Sequence, residues 1–270
     1  MISVLQLGVL DYATGQRLQQ KLVQLRKDGR IGDVLLLLEH MPVITLGRNA
    51  KPANIIASAE ELTSRGVELF ECDRGGDVTF HGPGQLVGYP IFDLRSFDLE
   101  DGKRKSLGVV EYVRRLEEVL IRVCADFRIA SERVPGLTGV WTKPATPVAT
   151  GDVPRDQETA KIAALGVHVS RGVTSHGFAL NVNVDLDYFN LIIPCGITSK
   201  AVTSMAKELS QQLSLQDVAH SVSRNFGVVF QSQMLWLESL DSLLDQSIGV
   251  PMKVPSELRR LRTEDDVFWA

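Results

Sequence analysis

The sequence predicts an α+β protein in which a mixed β-sheet is layered with helices. Short apolar runs of strand character are interleaved with segments whose apolar residues recur at helical spacing. No internal repeat is visible, and no linker clearly divides the 270 residues into two domains. Val4, Leu5, Leu7, Val9 and Leu10 open as a strand, and Leu18, Leu22, Val23 and Leu25 lie on a helix that stops near Asp28-Gly29. Val34 to Leu38 and Val43 to Leu46 are continuous apolar runs separated by Glu39-His40-Met41-Pro42, which predicts two strands with a short connection. Ser58-Ala59-Glu60-Glu61 has capping-box spacing ahead of a short helix ending at Gly66, and Val67 to Cys72 alternates like a strand.

Gln85 to Leu94 reads as the next strand, and Leu107 to Phe127 carries Val109, Val113, Leu116, Leu120 and Val123 on a long helix. Trp141 ends a further strand. Thr142 to Glu158 then turns poor in apolar residues and rich in Pro, Thr and Asp, as an exposed loop does. Two strands follow, Lys161 to Ser170 and Thr174 to Val184, joined near Arg171-Gly172. Ser214 caps a helix running towards Phe230, and an amphipathic stretch around Leu235 to Leu244 precedes a charged tail, Glu257 to Asp266. Residues 1–230 are expected to form the main domain and 231–270 a C-terminal helical extension.

Composition narrows the function. A hydrophobic content of 44% with 23% charge is that of a soluble globular protein with a sizeable core. No apolar run reaches the roughly 18 residues of a membrane span, and Met1-Ile2-Ser3-Val4 does not begin a signal peptide, so a cytoplasmic protein without membrane contact is expected. Cys72, Cys124 and Cys195 form no CxxC pair, which argues against a disulfide framework and a structural zinc site. A net charge of −4 gives no general affinity for nucleic acid, although Lys103-Arg104-Lys105 with Arg114-Arg115 makes the middle of the chain locally basic.

Chemistry concentrates at a few places. Arg74 to Gln85 packs four glycines, a proline and a histidine into twelve positions, which suits either a tight hairpin or a backbone that closely approaches a ligand. Cys195 stands between Pro194 and Gly196, at the junction of an apolar run and a turn. It is either an inert core thiol or a nucleophile, and a nucleophile needs a nearby base or cation. Lys161 starts its strand immediately after the polar loop; held in an apolar site, such a lysine can take and return protons. None of His40, His81, His168, His176 and His220 forms a metal-ligand motif, so no metal and no cofactor is expected. His81 and His176 each precede a glycine in pocket-like contexts, whereas His168 reads as a strand side chain.

Taken together, Arg74 to Gln85, Lys161-Ile162-Ala163-Ala164-Leu165-Gly166, His176-Gly177-Phe178-Ala179-Leu180-Asn181 and Pro194-Cys195-Gly196-Ile197 closely resemble the lipoate-protein ligase B family, the octanoyltransferases. The resemblance runs from about residue 4 to about residue 230. It implies the fold of the biotin and lipoyl protein ligases, similar to the catalytic domain of class II aminoacyl-tRNA synthetases. It also implies transfer of octanoyl from octanoyl-acyl carrier protein to the lipoyl domains of 2-oxoacid dehydrogenases and to glycine cleavage H protein. By the same resemblance Cys195 is the acyl-thioester cysteine and Lys161 the catalytic lysine. Arg74, Gly75, Gly76, Asp77, Val78, Thr79, Phe80, His81, Ala164, Leu165, Gly166, Gly177, Phe178 and Ala179 fall on the segments that line the acyl pocket. The stretch 142–158 departs from the family as an insertion before the lysine. Two other readings stand beside this one: an ATP-dependent lipoate or biotin protein ligase of the same fold, and a non-catalytic acyl-carrier-binding module.

Overall fold

The structure, a computed structural model, describes residues 1–97, 106–143, 159–194 and 200–246. Cys195, Lys103 to Lys105, most of the stretch 142–158 and the charged tail lie outside them. The chain opens with β1 (Ile2–Leu10), α1 (Tyr12–Lys27), β2 (Asp33–His40) and β3 (Val43–Leu46), then α2 (Ala59–Ser64), β4 (Glu68–Glu71), β5 (Val78–His81) and β6 (Gln85–Ile91). It continues through α3 (Val109–Asp126), β7 (Ser131–Val134), β8 (Leu137–Thr142), β9 (Lys161–Ser170) and β10 (Val173–Asn181). Helices α4 (Met205–Leu209) and α5 (Leu215–Val229), strand β11 (Met234–Trp236) and helix α6 (Leu240–Gln246) follow. Among the described residues no helix is long and apolar enough to cross a membrane.

Local chemistry sets the ends of these elements. Asp11 caps α1 by accepting the Thr14 N–H at 2.8 Å, and the helix stops where Gly29 turns left-handed at φ +68° and the Arg30 N–H reaches the Leu25 carbonyl. Ser58 and Ser214 cap α2 and α5 by accepting the N–H three residues on.

Eight strands form the main sheet in the order β11-β1-β2-β6-β10-β9-β8-β7. The pairs β11–β1 and β1–β2 are parallel and the rest antiparallel. Alternation along β2 explains its continuous apolar run. Leu35 and Leu37 pack with α3 and α5 on one face, and Val34, Leu36 and Leu38 with α1 on the other. Each such leucine, fully buried, stabilises the fold by roughly 1.5–3 kcal/mol.

A second sheet, β4-β3-β5, encloses its own core of Ile44, Val78, Phe80, Leu191 and Ile192. Strand β5 lies inside the glycine-rich element and pairs with β3, whereas β6 joins the main sheet. The Gly82-Pro83-Gly84 turn therefore passes the chain from one sheet to the other instead of closing a hairpin. Gly84 is required there: its φ is +83°, and a Cβ would lie 2.7 Å from the Asn183 carbonyl carbon. The expected helix around Leu235 to Leu244 is also divided. Met234 to Trp236 pair in parallel with β1 at the sheet edge, and the helix starts only at Leu240. Ile2 and Val4 offer an open strand edge, and three residues of extended chain satisfy part of it.

Candidate active site

A cavity of about 40 Å³ lies between the two sheets, walled by β6, β9 and β10 of the larger, β5 of the smaller and Tyr12 at the start of α1. Ala164, Leu165 and Gly166 line it from β9, Gly177, Phe178 and Ala179 from β10, and Arg74, Gly76, Asp77, Thr79 and His81 from the glycine-rich element. Strand alternation turns Val78 and Phe80 the other way. Both lie in the core of the small sheet, where the Phe80 ring stacks on Tyr188 with centroids 4.7 Å apart. Gly75 lies against β9, its N–H donating to the Val167 carbonyl at 3.1 Å. The bare backbone of Gly166 permits this approach, since a Cβ there would stand 2.7 Å from the Gly75 carbonyl oxygen. The sequence singled out His176 but not the other wall residues Tyr12, Val87 and Tyr89, which carry no motif; only the pairing of β6 with β10 and the packing of α1 bring them in.

Arg74 is buried, and its donors meet neutral oxygens: Nε and one terminal nitrogen donate to Thr45 Oγ1 at 3.1 and 2.8 Å, with further bonds to the carbonyls of Thr45 and Gly75. The network then runs inward. Thr45 Oγ1 is 3.4 Å from His81 Nε2, and His81 Nδ1 donates to the Gln85 amide oxygen at 2.7 Å. Gln85 donates to Asn181 Oδ1 at 2.9 Å, and Asn181 donates to the Thr203 carbonyl. Burial pushes the His81 imidazole down to about 3, helped by His40 and by the Arg74 charge, so it is neutral at pH 7. His40, also lowered by burial to about 4, accepts the Tyr89 hydroxyl at 2.6 Å.

Lys161 lies outside the cavity lining, at the start of β9, and is 7% exposed. Its ammonium stands 4.8 Å from the centre of the Trp141 ring, within cation–π range. The β8–β9 register shifts between Val140 and Trp141, and such an irregularity re-aims side chains. Gly139, at φ +135°, leaves the room: a Cβ there would lie 3.1 Å from Lys161 Cε. The Gly139 N–H donates to Glu117, a fully buried carboxylate of α3 that Arg114 and Arg133 also approach at 2.8 and 3.2 Å.

Cys195 itself is outside the described residues. The chain before it is fastened by the Ile193 N–H to the Asn54 carbonyl at 2.7 Å, and Asn54 in turn donates to Asp77 Oδ2 at 2.5 Å. After it, the Ala201 carbonyl accepts the Lys161 N–H at 2.8 Å. Both ends of the segment carrying the thiol are thus tied to the lysine strand or to the cavity wall. Of the basic cluster, Arg114 pairs with Glu117 and Arg115 with Glu111, which leaves those two arginines less free charge than the sequence suggests. His168, read as an ordinary strand side chain, in fact pairs with Asp73 at 2.5 Å.

The catalytic-domain model for lipoyl protein ligases A and B matches residues 11–227. The chain belongs to this family. Octanoyltransferases of Koribacter versatilis and Acidobacterium capsulatum are 60% and 56% identical to it, over 98% and 91% of this chain and 98% and 97% of theirs. Among solved structures, a putative lipoate protein ligase from T. acidophilum superposes with a TM-score of 0.62 at 14% identity, covering 98% of this chain and 95% of that one. A lipoate-protein ligase A bound with ATP gives 0.60 at 15% identity, covering 97% and 94%. At such identities the likeness establishes the α+β lipoate-protein-ligase fold.

Proposed function

We propose that the protein moves an octanoyl group from octanoyl-acyl carrier protein to a lysine of a lipoyl domain, through a thioester on Cys195. The observation that carries this reading is the glycine-lined cavity whose β9 wall begins at the buried Lys161, with the Cys195 segment tied on either side of it. High identity to octanoyltransferases over nearly the whole chain supports it.

In the first half-reaction the Cys195 thiolate attacks the donor's carbonyl carbon. A new C–S bond forms, the carrier's C–S bond breaks, and the departing thiolate takes up the proton that Cys195 lost. One thioester replaces another of similar energy, so no nucleotide is needed. In the second, the acceptor amine attacks the same carbon, the amide C–N bond forms, and Cys195 leaves. The amine's proton returns to the cysteine sulfur by way of Lys161, which acts as base and then acid. Residues 1–230 carry this chemistry, and the extension 231–270 adds, among its described residues, a sheet strand and a helix. The acceptors are the lipoyl domains of 2-oxoacid dehydrogenases and glycine cleavage H protein. The cytoplasm suits a nucleophilic thiol, which must stay reduced.

The test is the intact mass of the protein after incubation with octanoyl-acyl carrier protein and no ATP. An octanoyl adduct that is labile to hydroxylamine, absent in Cys195→Ser and discharged by apo-lipoyl domain is the expected result. Product formed only with ATP and free octanoate means an adenylate-forming ligase instead.

A further inference from the structure

Behind the acyl cavity lies a second one, of about 230 Å³, bounded by the glutamine-rich face of α1 and by Asp73, His168 and Ser175. Among the described residues the two cavities share one lining residue, His176. Its ring meets Tyr89 edge-on, at 86° and 6.4 Å between centroids, on the side of the acyl cavity. On the other side its Nε2 donates to Asp73 Oδ1 at 2.7 Å. We infer that His176 is the end wall of the acyl cavity and limits the length of the chain the protein accepts. This rests on the cavity being the acyl site.

The placement is over-determined. His176 sits within β10 at φ +55°, a conformation that a side-chain-bearing residue adopts only when its surroundings hold it there. Asp73 holds the ring, Gln19 Oε1 accepts the backbone N–H at 2.8 Å, and Asp73 is itself bridged to His168. With Nε2 donating, Nδ1 carries a lone pair, and this buried atom has no hydrogen-bond partner among the described residues. A ring kept there against both backbone preference and hydrogen-bonding need is present for its shape.

Selectivity for length also calls for a wall. A hydrophobic tunnel favours each added methylene and cannot by itself reject a longer chain. His176 closes the tunnel sterically. The chamber beyond it adds a second barrier, because hydrocarbon entering there covers the Asp73 carboxylate and several amides without hydrogen-bonding to them.

The experiment sets octanoyl-, decanoyl- and dodecanoyl-acyl carrier protein in competition for acyl transfer. His176→Gly removes the ring and suits the positive φ, so the backbone is relieved rather than strained. Asp73→Ala, at a half-exposed position, frees the ring from its anchor with little risk to folding. The expected result is a dodecanoyl-to-octanoyl ratio raised at least tenfold in His176→Gly, about what two newly buried methylenes supply, with a smaller shift of the same sign in Asp73→Ala. A third variant, Ala164→Leu, narrows the same cavity from β9. If Ala164→Leu impairs octanoyl transfer while neither other variant changes the ratio, His176 is not the wall and the inference fails. If Ala164→Leu leaves octanoyl transfer intact, the cavity is not the acyl site and the underlying reading fails with it.

Discussion

Replacing Glu117 tests how the lysine strand is held. The carboxylate is fully buried beneath Arg114 and Arg133, whose side chains are 50% and 33% exposed, and it accepts the Gly139 N–H at 3.1 Å. In Glu117→Ala the two arginines regain water and lose little. The buried Gly139 N–H loses its acceptor, which costs about 1–3 kcal/mol, and one buried methylene is deleted at about 0.8 kcal/mol. The sum is about 2–4 kcal/mol. Glu117→Gln keeps an oxygen towards Gly139 and gives up only charge, much of which was offset by desolvation, so about 1 kcal/mol is expected. Urea unfolding of the two variants measures both values, provided the slope is unchanged. Because Gly139 forms the slot for Lys161, Glu117→Ala should also lower kcat of transfer more than it raises KM. Equal losses in the two variants would refute the argument, since the charge and not the N–H acceptor would then dominate.

Other outcomes follow from the same geometry. His40 and His81 have folded pKa values of about 4 and about 3, below the ordinary 6.5, so below that pH the unfolded chain binds protons that the folded chain does not. Stability is therefore fully present above about pH 6.5 and falls on acidification, by about 1.4 kcal/mol per pH unit for each histidine; a urea midpoint unchanged between pH 7 and 5 would contradict this. Ending the chain after Phe230 removes β11 from the edge of β1 and Leu240 and Leu243 from the core, and should give aggregated protein by size-exclusion chromatography, whereas ending it after Gln246 should not. Phe80→Ala should cost about 3–5 kcal/mol in urea unfolding yet leave the KM for the octanoyl donor nearly unchanged, because the ring faces the small-sheet core.

The sequence carried the helices and most of the strands because their signals are local. A 3.6-residue or 2-residue apolar period, Asp or Ser ahead of a helix and Gly after it arise from contacts within a turn or two. The site segments were legible for a related reason. Gly166, Gly177 and the run from Arg74 to Gln85 stand where backbone must approach backbone, and that requirement leaves a residue-type signature. Cys195 and Lys161 were visible as chemical types in a family pattern, and for Cys195 the sequence is the whole basis of the proposed role.

What only the tertiary structure decided is which local segments share a wall. Nothing between Phe80 and Gln85 says that β5 and β6 part into different sheets, and it is this parting, with strand alternation, that turns His81 into the cavity and Phe80 out of it. Asp73 reaches His168 and His176 across about a hundred residues, and Glu117 reaches Gly139 from another element; polar residues on a strand or a helix look solvated until a distant partner buries them. Sheet order and side-chain pairing are set by burial summed over the whole chain. Periodicity determined the elements, and the closure of two sheets around one cavity determined the site.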